Sequence, residues 1–378
     1  MLKKFLESFN PENHLILWLI CAFILAFFIA FNAYPTILFV AKEKHLIDEP
    51  DDRSAHSKAV PTLGGVGIFL SLVVVITIIG AMLNAKTMML ILGAITILFF
   101  LGLKDDLTVL SARKKFLVQI AVALLLIIFT DTRIIGFSNI LGVETLPYWV
   151  SIGFTLFVYI LIINAYNLID GIDGLAGVIA IFICSSFLVL FIIEGETSLA
   201  TICVALMGAL VAFLRLNLSS KNKIFLGDTG SMIIGFLIAF FAISFISHSQ
   251  VNELSQFHRA SPTLVFAILF YPLIDTLRIV LVRTLFLKKS PFKADQNHIH
   301  HGFLNMKFSH LKATIIIVVV NLIILIISYN LLHLNLNIQI MLLLIYGSAL
   351  YLIIFLVKRQ LNKGLNFRRR KQFQSLNS

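Results

Sequence analysis

The fold of this chain follows from residues 147–193, which read PYWVSIGFTLFVYILIINAYNLIDGIDGLAGVIAIFICSSFLVLFII. The stretch contains two long apolar runs, 147–169 and 175–193, and neither run has a charged residue. Because the hydrocarbon core of a bilayer is ~30 Å thick and takes about 20 apolar residues of helix, each run is long enough to cross it. The turn between the runs carries Asp170 and Asp173. The stretch therefore predicts two antiparallel membrane helices joined by an acidic turn.

The composition of the whole chain is that of a membrane protein. Of its 378 residues, 59% are hydrophobic and 13% are charged, against roughly 25% charged in a soluble domain. This excludes both a soluble enzyme and a disordered chain. The net charge of +11 does not indicate nucleic-acid binding, because the basic residues are scattered between apolar runs. The three cysteines lie in apolar runs without CxxC spacing, so neither disulfides nor a thiolate metal site is indicated.

We predict an all-α polytopic membrane protein with about 11 transmembrane helices, forming one integral-membrane domain over residues 1–378. A small external hairpin is expected at 131–146, where apolar and polar residues alternate around two glycines. The predicted spans are 15–40, 63–83, 87–103, 115–130, 147–169, 175–193, 198–215, 231–247, 263–287, 313–333 and 337–357.

The basic residues predict the orientation of these spans. An odd number of spans puts the termini on opposite sides, and loops rich in Lys and Arg face the cytoplasm. Most of the 30 Lys and Arg residues lie in the connections after spans 1, 3, 7 and 9 and in the C-terminal tail. The opposite side has Lys3, Lys4, Lys86, Arg133 and Arg259. We therefore predict an outside N-terminus, a cytoplasmic C-terminus, and attraction of the basic tail 358–378 to anionic lipids.

Five aspartates lie at predicted cytoplasmic helix ends: Asp105, Asp106, Asp170, Asp173 and Asp228. A lone aspartate at such a place is more often a helix cap or an interfacial charge. Five of them on one face of a bundle would repel one another unless a cation were present. A hard divalent cation such as Mg²⁺ suits sparse oxygen ligands and leaves positions for substrate phosphates. The aspartates therefore predict a Mg²⁺ and phosphate site at the cytoplasmic face.

The predicted cytoplasmic loop after span 9 contains a histidine cluster, HIHH at 298–301. A zinc site is one interpretation, but HxHH lacks the i, i+4 spacing of helical zinc motifs, and its expected neighbours are oxygen ligands. We favour histidines that donate hydrogen bonds to a diphosphate or move a proton.

Span 9 itself carries polar residues within its apolar stretch. Pro272 predicts a bend, which could open a side cleft toward lipid. Asp275 and Arg278, three residues apart, could neutralise each other or belong to the site.

Five motifs follow one another along the chain. They are a loop ending in Gly-Gly at 53–65, the pair Asp105-Asp106, an NxxNxxDGxDGL string at 164–175, a GDxGS string at 227–231 and the histidine motif at 298–301. In this order they resemble the polyprenyl-phosphate N-acetylhexosamine-1-phosphate transferase superfamily, over nearly the whole chain. The resemblance implies a bundle of ten or eleven membrane helices with an external hairpin, in agreement with the predicted spans.

The histidine motif indicates a branch of that superfamily. The branch that transfers phospho-MurNAc-pentapeptide has three consecutive histidines followed closely by a glutamate. Here Ile299 interrupts the triplet, and no acidic residue lies between Gly302 and Lys312. The HIHH form is similar to the branch that uses UDP-GlcNAc and starts O-antigen, enterobacterial common antigen and teichoic-acid linkage units. The resemblance thus implies transfer of GlcNAc-1-phosphate from UDP-GlcNAc to undecaprenyl phosphate in the inner membrane, with the peptidoglycan enzyme as the alternative.

A transporter or lipid flippase is the alternative of another class. Such proteins place ionisable groups and broken helices near the membrane midplane, often in paired repeats. The aspartates here lie at one end of the predicted spans, and the sequence shows no internal repeat. This favours an enzyme.

The resemblance also implies roles for individual residues. Mg²⁺, with Mn²⁺ as an alternative ion, would bind to Asn167 and Asp228. The nucleoside would contact Asp170, Asp173 and Phe225. The other implied site residues are Asp105, Asp106, His300 and His301 as catalytic groups, and Lys58, Thr62, Gly227 and His298 as substrate-binding groups. The resemblance leaves open whether the chemistry is a direct in-line attack or passes through an aspartyl-phosphate, and whether the protein is a homodimer.

Overall fold

The computed structural model describes residues 11–46, 60–83, 85–108, 110–286, 288 and 298–376, without the side chains of Glu12, Phe286 and 357–376. No described residue belongs to a β-strand. The helices are α1 (Pro11–Glu43), α2 (Gly64–Met82), α3 (Lys86–Thr108), α4 (Ala112–Thr130), α5 (Tyr148–Leu168), α6 (Leu175–Ile193), α7 (Thr197–Asn217), α8 (Gly227–Val251), α9 (Ser261–Ile268), α10 (Phe270–Leu281), α11 (Ile299–Asn305), α12 (His310–Asn330) and α13 (Leu336–Leu376), with a π-helical turn at Val282–Phe286.

Nine of the described helices are long and apolar enough to cross a membrane, or ten if α9 and α10 count as one bent span. Helix α4 is not among them, and its first turn carries Arg113, Lys114 and Lys115, which shorten its uncharged stretch. The predicted all-helical, multi-span architecture is confirmed at this level. The count of about 11 spans and their orientation stay predictions.

Helix α8 lies at the centre of the bundle. Its sequence is apolar around nearly the whole circumference, which is typical of a helix buried on all sides. Its entire apolar window is buried, and it packs against α2, α3, α5, α6 and α9. Aromatic contacts with α6 help to hold it, such as Phe191 against Phe241 with ring centroids 5.9 Å apart. This packing places the first residues of α8, including Asp228, at a defined position at one end of the bundle.

Helices α9 and α10 form a bent pair with a 75° change of direction at Leu269. Pro272 explains the break, because it has no N–H to donate to the carbonyl of Ile268 and its ring clashes with that carbonyl. The backbone N–H of Tyr271 donates to the side-chain oxygen of Asn321 at 3.2 Å. The bend predicted from Pro272 is therefore found. An apolar cavity of about 240 Å³ lies beside it, and its opening toward lipid stays a prediction.

The segment 131–146 turns back on itself. Its ends are joined by a hydrogen bond from the N–H of Leu146 to the carbonyl of Ile135 at 2.8 Å. The side chain of Gln250, at the end of α8, accepts from the N–H of Ile135 at 2.9 Å and donates to the carbonyl of Gly136 at 2.7 Å. The predicted hairpin is thus an irregular turn tied to α8. Its external position stays a prediction.

Candidate active site

A polar pocket of about 630 Å³ lies where α1, α3, α5 and α7 end and where α2, α6, α8 and α12 begin. Its size is that of a small-molecule site. The residues that line it are His45, Leu46, Thr62, Leu63, Asp105, Asp106, Leu107, Asn167, Asp170, Gly171, Ile172, Asp173, Asn217, Phe225, Gly227, Asp228, Ser231, His301 and His310. Side chains that are far apart in sequence meet here because their helix ends lie at one end of the bundle.

Most of the site residues predicted from the sequence line this pocket. Those that do are Thr62, Asp105, Asp106, Asn167, Asp170, Asp173, Phe225, Gly227, Asp228 and His301. His298 and His300 are buried and do not line it. Lys58 lies outside the described residues, as do the side chains of the basic tail 358–378.

Asp105, Asp106 and Asp228 form what we call the carboxylate wall of the pocket. Asp106 accepts the backbone N–H groups of Asp228 at 2.7 Å and Thr229 at 3.0 Å, and the Thr229 hydroxyl at 2.5 Å. The unpaired N–H groups and the positive dipole end at the start of a helix favour a carboxylate at this place. Asp106 therefore joins the end of α3 to the start of α8 and fixes the position of Asp228.

Lys115, in the first turn of α4, balances two charges of the carboxylate wall. Its Nζ forms an ion pair with Asp105 and lies 3.4 Å from Oδ1 of Asp228. Oδ1 of Asp105 also accepts the backbone N–H of Leu110 at 2.5 Å. The Asp105 side chain is only 2% exposed, whereas that of Asp228 is 33% exposed. Asp228 is therefore the more accessible of the two carboxylates.

Asn167 and Asp228, the predicted metal ligands, are neighbours. Nδ2 of Asn167 donates to Oδ1 of Asp228 at 2.9 Å and to the hydroxyl of Ser231 at 2.7 Å. The carboxylate, amide and hydroxyl oxygens of this group are the hard donors that Mg²⁺ prefers, and Mn²⁺ accepts the same set. The residues present therefore fit a divalent cation.

His298, His300 and His301 form what we call the histidine wall, which two residues of α10 hold in place. Oδ2 of Asp275 lies 2.9 Å from Nδ1 of His298, and the Tyr271 hydroxyl lies 3.1 Å from Nδ1 of His300. Oδ1 of Asp275 accepts the backbone N–H at the start of α11 at 2.8 Å. Because Tyr271 and Asp275 are one helical turn apart, a single face of α10 carries both contacts.

Asp275, His298 and His300 also have the geometry of a possible metal-binding group. One ligand atom from each lies within 4.8 Å of the other two. These mixed nitrogen and oxygen donors would suit zinc better than Mg²⁺. All three side chains also make hydrogen bonds within the protein.

His300 is fully buried, whereas His301 lines the pocket. Burial, followed by the neighbouring His301 and His298, lowers the pKa of His300 to about 2, so its ring is neutral at neutral pH. Its Nε2 has no hydrogen-bond partner among the described residues. This atom lies against Gly171, where a Cβ would come within 2.5 Å of it. Glycine therefore allows the acidic turn to pack directly on α11. The predicted phosphate contacts of His298 and His300 stay predictions.

Asp170 and Asp173, in the acidic turn, have different surroundings. Although Asp170 opens onto the pocket, desolvation by the surrounding protein, and then nearby carboxylates led by Asp228, raise its pKa to about 7. Asp173 accepts from Nζ of Lys223 at 2.6 Å and lies 3.0 Å from Nδ1 of His310. Burial opposes the charged form, but the partners His310 and Lys223 outweigh it and lower the pKa of Asp173. Asp173 is therefore ionised at neutral pH, whereas Asp170 titrates near it.

Phe225 and Gly227 lie on the segment that leads into α8. The backbone N–H of Phe225 donates to Pro61 at 2.8 Å, and its carbonyl accepts from Gly64 at 2.9 Å. Gly227 has a φ of +73°, and a Cβ there would meet the carbonyl oxygen of Thr62 at 2.1 Å. Only glycine satisfies both conditions. The segments before α2 and α8 therefore run close together at the rim of the pocket.

Sequence patterns do not identify several polar residues at the pocket. These are His45, Lys115, Asn217, Lys223, Ser231 and His310. Lys115 and Lys223 are among the basic residues near predicted cytoplasmic helix ends. In the sequence, these basic residues indicate only the orientation of the spans. Ser231 is the last residue of the GDxGS string, and this string is a signal that could have identified it.

The fold and the pocket together are those of a multi-pass membrane enzyme. A sequence model described as Glycosyl transferase family 4 matches residues 88–246. The chain is also similar to proteins named undecaprenyl-phosphate alpha-N-acetylglucosaminyl 1-phosphate transferase. It is 30% identical over 289 residues to that of Escherichia coli (strain K12), which covers 74% of this chain and 75% of the relative. For that of Thermotoga maritima the identity is 31% over 294 residues, 78% of this chain and 84% of the relative.

A third relative is a probable undecaprenyl-phosphate N-acetylglucosaminyl 1-phosphate transferase of Bacillus subtilis (strain 168). It is 28% identical over 307 residues, which are 81% of this chain and 82% of the relative. The chain therefore belongs to glycosyl transferase family 4, in the branch of the undecaprenyl-phosphate N-acetylglucosaminyl 1-phosphate transferases.

Proposed function

We propose that this protein transfers GlcNAc-1-phosphate from UDP-GlcNAc to undecaprenyl phosphate, giving undecaprenyl-diphospho-GlcNAc and UMP. The observation that supports this is a single pocket lined by carboxylates and candidate cation ligands, with Lys115 paired to two of the carboxylates, in a chain whose relatives are named for this activity. An oxygen of the lipid phosphate forms a bond to the phosphorus that carries the sugar, and the bond from that phosphorus to UMP breaks. One phosphoanhydride replaces another, so catalysis comes from positioning and charge neutralisation.

Asn167 and Asp228 would bind Mg²⁺, or Mn²⁺ in its place. Their direct contact, the exposure of Asp228 and the all-oxygen donor set support this assignment. A bound divalent cation would neutralise negative charge on the diphosphate. Ser231, which also accepts from Asn167, would hold the amide in place.

Asp105 and Lys115 would act on the acceptor phosphate. The Lys115 ammonium, next to both Asp105 and Asp228, is placed to attract and orient an incoming phosphate. Asp105 would accept the proton of a lipid phosphate that arrives as a monoanion. Asp106 would be a positioning residue, because both of its oxygens are bonded to the start of α8.

The nucleoside of the donor would bind beside the acidic turn. Phe225 offers an aromatic face for a base, and Asp173 and Asp170 offer hydrogen-bond acceptors. His301 and Thr62 line the same pocket and would contact the diphosphate and the sugar. The family resemblance assigns further substrate contacts to Gly227, Lys58, His298 and His300.

We place the pocket on the cytoplasmic face of the inner membrane, with eleven spans and an outside N-terminus. The distribution of Lys and Arg supports this orientation, because the pocket lies at the same end of the bundle as the basic connections. The basic tail would bind anionic lipids on that face. The homodimer stays one option for the oligomeric state.

The proposed reaction is tested with purified full-length protein, undecaprenyl phosphate, Mg²⁺ and radiolabelled sugar nucleotides. UDP-GlcNAc and UDP-MurNAc-pentapeptide are offered in parallel, and release of UMP and labelling of the lipid are measured. We expect both signals with UDP-GlcNAc, and neither after chelation of divalent cations. Turnover of only the pentapeptide donor would indicate the peptidoglycan enzyme, and absence of UMP release from both donors would overturn the transferase assignment.

The route of attack is tested on the same protein. Inversion of configuration at the transferred phosphorus would indicate direct in-line displacement by the lipid phosphate. A phosphoryl adduct trapped on Asp228 would instead establish a two-step route.

A further inference from the structure

The helix that carries the histidine wall, α11, packs directly against the C-terminal helix α13. Gly302, the residue after His301, lies so close to Phe355 of α13 that a Cβ at position 302 would come within 2.8 Å of the Phe355 ring. The next residue, Phe303, is fully buried, and its ring centroid lies 5.0 Å from that of Phe355. Glycine at position 302 therefore lets the Phe355 ring approach the backbone of α11.

Helix α13 also contacts α10, which holds the histidine wall in place. Tyr351 lies one helical turn before Phe355, on the same face of α13. Its ring centroid is 6.2 Å from that of Tyr271, whose hydroxyl lies 3.1 Å from Nδ1 of His300. The Tyr351 hydroxyl accepts a hydrogen bond from Nδ2 of Asn321 on α12 at 3.3 Å. One face of α13 therefore contacts both α11 and the helix that supports it.

The position of α11 depends on such contacts, because a helix of seven residues is not stable without packing. Phe355 lies against its backbone at Gly302, and His300 lies against Gly171 of the acidic turn. His301 is next to both of these contacts in the chain, and it is the member of the histidine wall that lines the pocket. Successive side chains of a helix point about 100° apart, so a rotation of α11 would turn His301 away from the pocket.

We infer that Phe355 is a positioning residue, which holds α11 in the rotation that presents His301 to the pocket. The Phe355 side chain is half-buried and does not line the pocket, so it acts only through its neighbours. The inference rests on the proposed function for the reaction in which His301 takes part. It assigns the C-terminal helix a part in the transfer, although no described side chain of that helix lines the pocket.

The orientation of α11 is tested without turnover, by chemical modification of the histidines at 298–301. Full-length protein in detergent is treated briefly with diethylpyrocarbonate, and tandem mass spectrometry quantifies the adduct on each ring. In wild type we expect His301 to react about tenfold faster than His298 and His300, which are buried. Phe355→Ala should reduce this selectivity several-fold, because α11 then opens more often and exposes the two buried rings.

A double-mutant cycle tests whether Phe355 acts on the reaction through His301. Phe355→Ala should reduce UMP release by up to about tenfold, the loss expected when His301 itself is replaced by alanine. In the His301→Ala protein the same substitution should reduce UMP release by less than about twofold, because the side chain that Phe355 positions is absent. Phe355→Leu keeps part of the apolar contact with α11 and should recover most of the activity.

The matched control is Leu352→Ala, on the same helix, whose side chain is 59% exposed. It should leave the modification pattern and UMP release unchanged. Size-exclusion profiles and melting temperatures show that each variant is folded. If Phe355→Ala does not fold, Phe355→Leu is used for the same comparisons, with smaller effects in the same direction.

Two outcomes would overturn the inference. One is an equal loss of UMP release from the Phe355 substitution with and without the His301 side chain, which is the behaviour of a general loss of stability. The other is an unchanged modification pattern in the folded Phe355 variant. Failure of the proposed function has a different signature, since wild type would then release no UMP from UDP-GlcNAc while the modification pattern would still depend on Phe355.

Discussion

The carboxylate wall and the histidine wall of the pocket use their polar residues in different ways. All three members of the carboxylate wall line the pocket, and their charges are balanced by Lys115 and by the N–H groups that begin α8. In the histidine wall only His301 lines it, while His298 and His300 are buried against Asp275 and Tyr271. One wall therefore presents charge to a ligand, and the other uses most of its polar groups to hold a short helix in place.

This difference separates two ways in which a substitution can reduce activity. Removing a charge from the carboxylate wall changes the field at the ligand while the packing around it can stay intact. Removing a partner from the histidine wall leaves a buried polar group without a hydrogen bond, which lowers stability as well. Activity and stability should therefore change separately at Asp228, the most exposed member of the first wall, and together in most of the second wall.

The largest effect is expected from Asp228→Ala and Asp105→Asn in the carboxylate wall. Each should reduce UMP release at least about 100-fold, because charge that faces the reacting phosphates is lost. The melting temperature in detergent should stay close to that of wild type for Asp228→Ala, whose side chain is the more exposed, and should fall modestly for Asp105→Asn, whose buried side chain loses its ion pair with Lys115.

The matched control is Asp131→Ala, an exposed aspartate that begins the 131–146 turn at the other end of the bundle. Near-normal activity in either pocket variant would remove that residue from the site. A large fall in melting temperature would show that the carboxylate wall, like its counterpart, is mainly structural.

An intermediate effect is expected in the histidine wall. Asp275→Asn weakens the bond to His298, so we expect a loss of about 1–3 kcal/mol in the free energy of unfolding together with reduced activity. His301→Ala should reduce activity about tenfold with little change in melting temperature, since its side chain lines the pocket. Melting curves and UMP release are measured on the same preparations. Equal melting temperatures for the two variants would contradict the division of roles within this wall.

The smallest effect is expected from the titration of Asp170. Because its pKa is raised to about 7, its carboxyl is mostly protonated at pH 6 and mostly charged at pH 8. The pocket is then more negative at the higher pH, so Mn²⁺ should bind a few-fold more tightly at pH 8 than at pH 6. Electron paramagnetic resonance of free Mn²⁺ measures the affinity. Asp170→Asn should flatten this dependence, and a slope that persists in the variant would assign the titration to another group.

Much of the fold and part of the site could be predicted from the sequence. Apolar runs of about 20 residues are sufficient to predict membrane helices, because lipid leaves few alternatives for an unbroken apolar segment. The bend near Pro272 also follows from local chemistry, since proline lacks the N–H of the helix ladder. The five aspartates could be predicted to share one site, because charges are scarce in this chain and these five lie at the same predicted end of several spans.

Other features could not be predicted, and each depends on contacts between distant segments. Whether a histidine in HIHH faces the pocket or the interior depends on how α11 packs against α10, which no local pattern specifies. The pairing of Lys115 with Asp105 and Asp228, and of His310 and Lys223 with Asp173, joins side chains from different helix ends. These partners have no motif, because a contact between two side chains depends on their distance in space and not on their spacing in the chain.

The sequence by itself determined that this chain is a helical membrane protein with acidic and histidine motifs of one transferase family. The length of an apolar run and the chemistry of its residues are local properties, so they can be recognised without knowing how the helices pack. The tertiary structure alone decided which polar groups line one pocket, which are buried as supports, and which cations balance the aspartates. These properties depend on how closely the helix ends approach one another. A shift of a few ångströms decides whether a carboxylate can reach a ligand or only caps a helix.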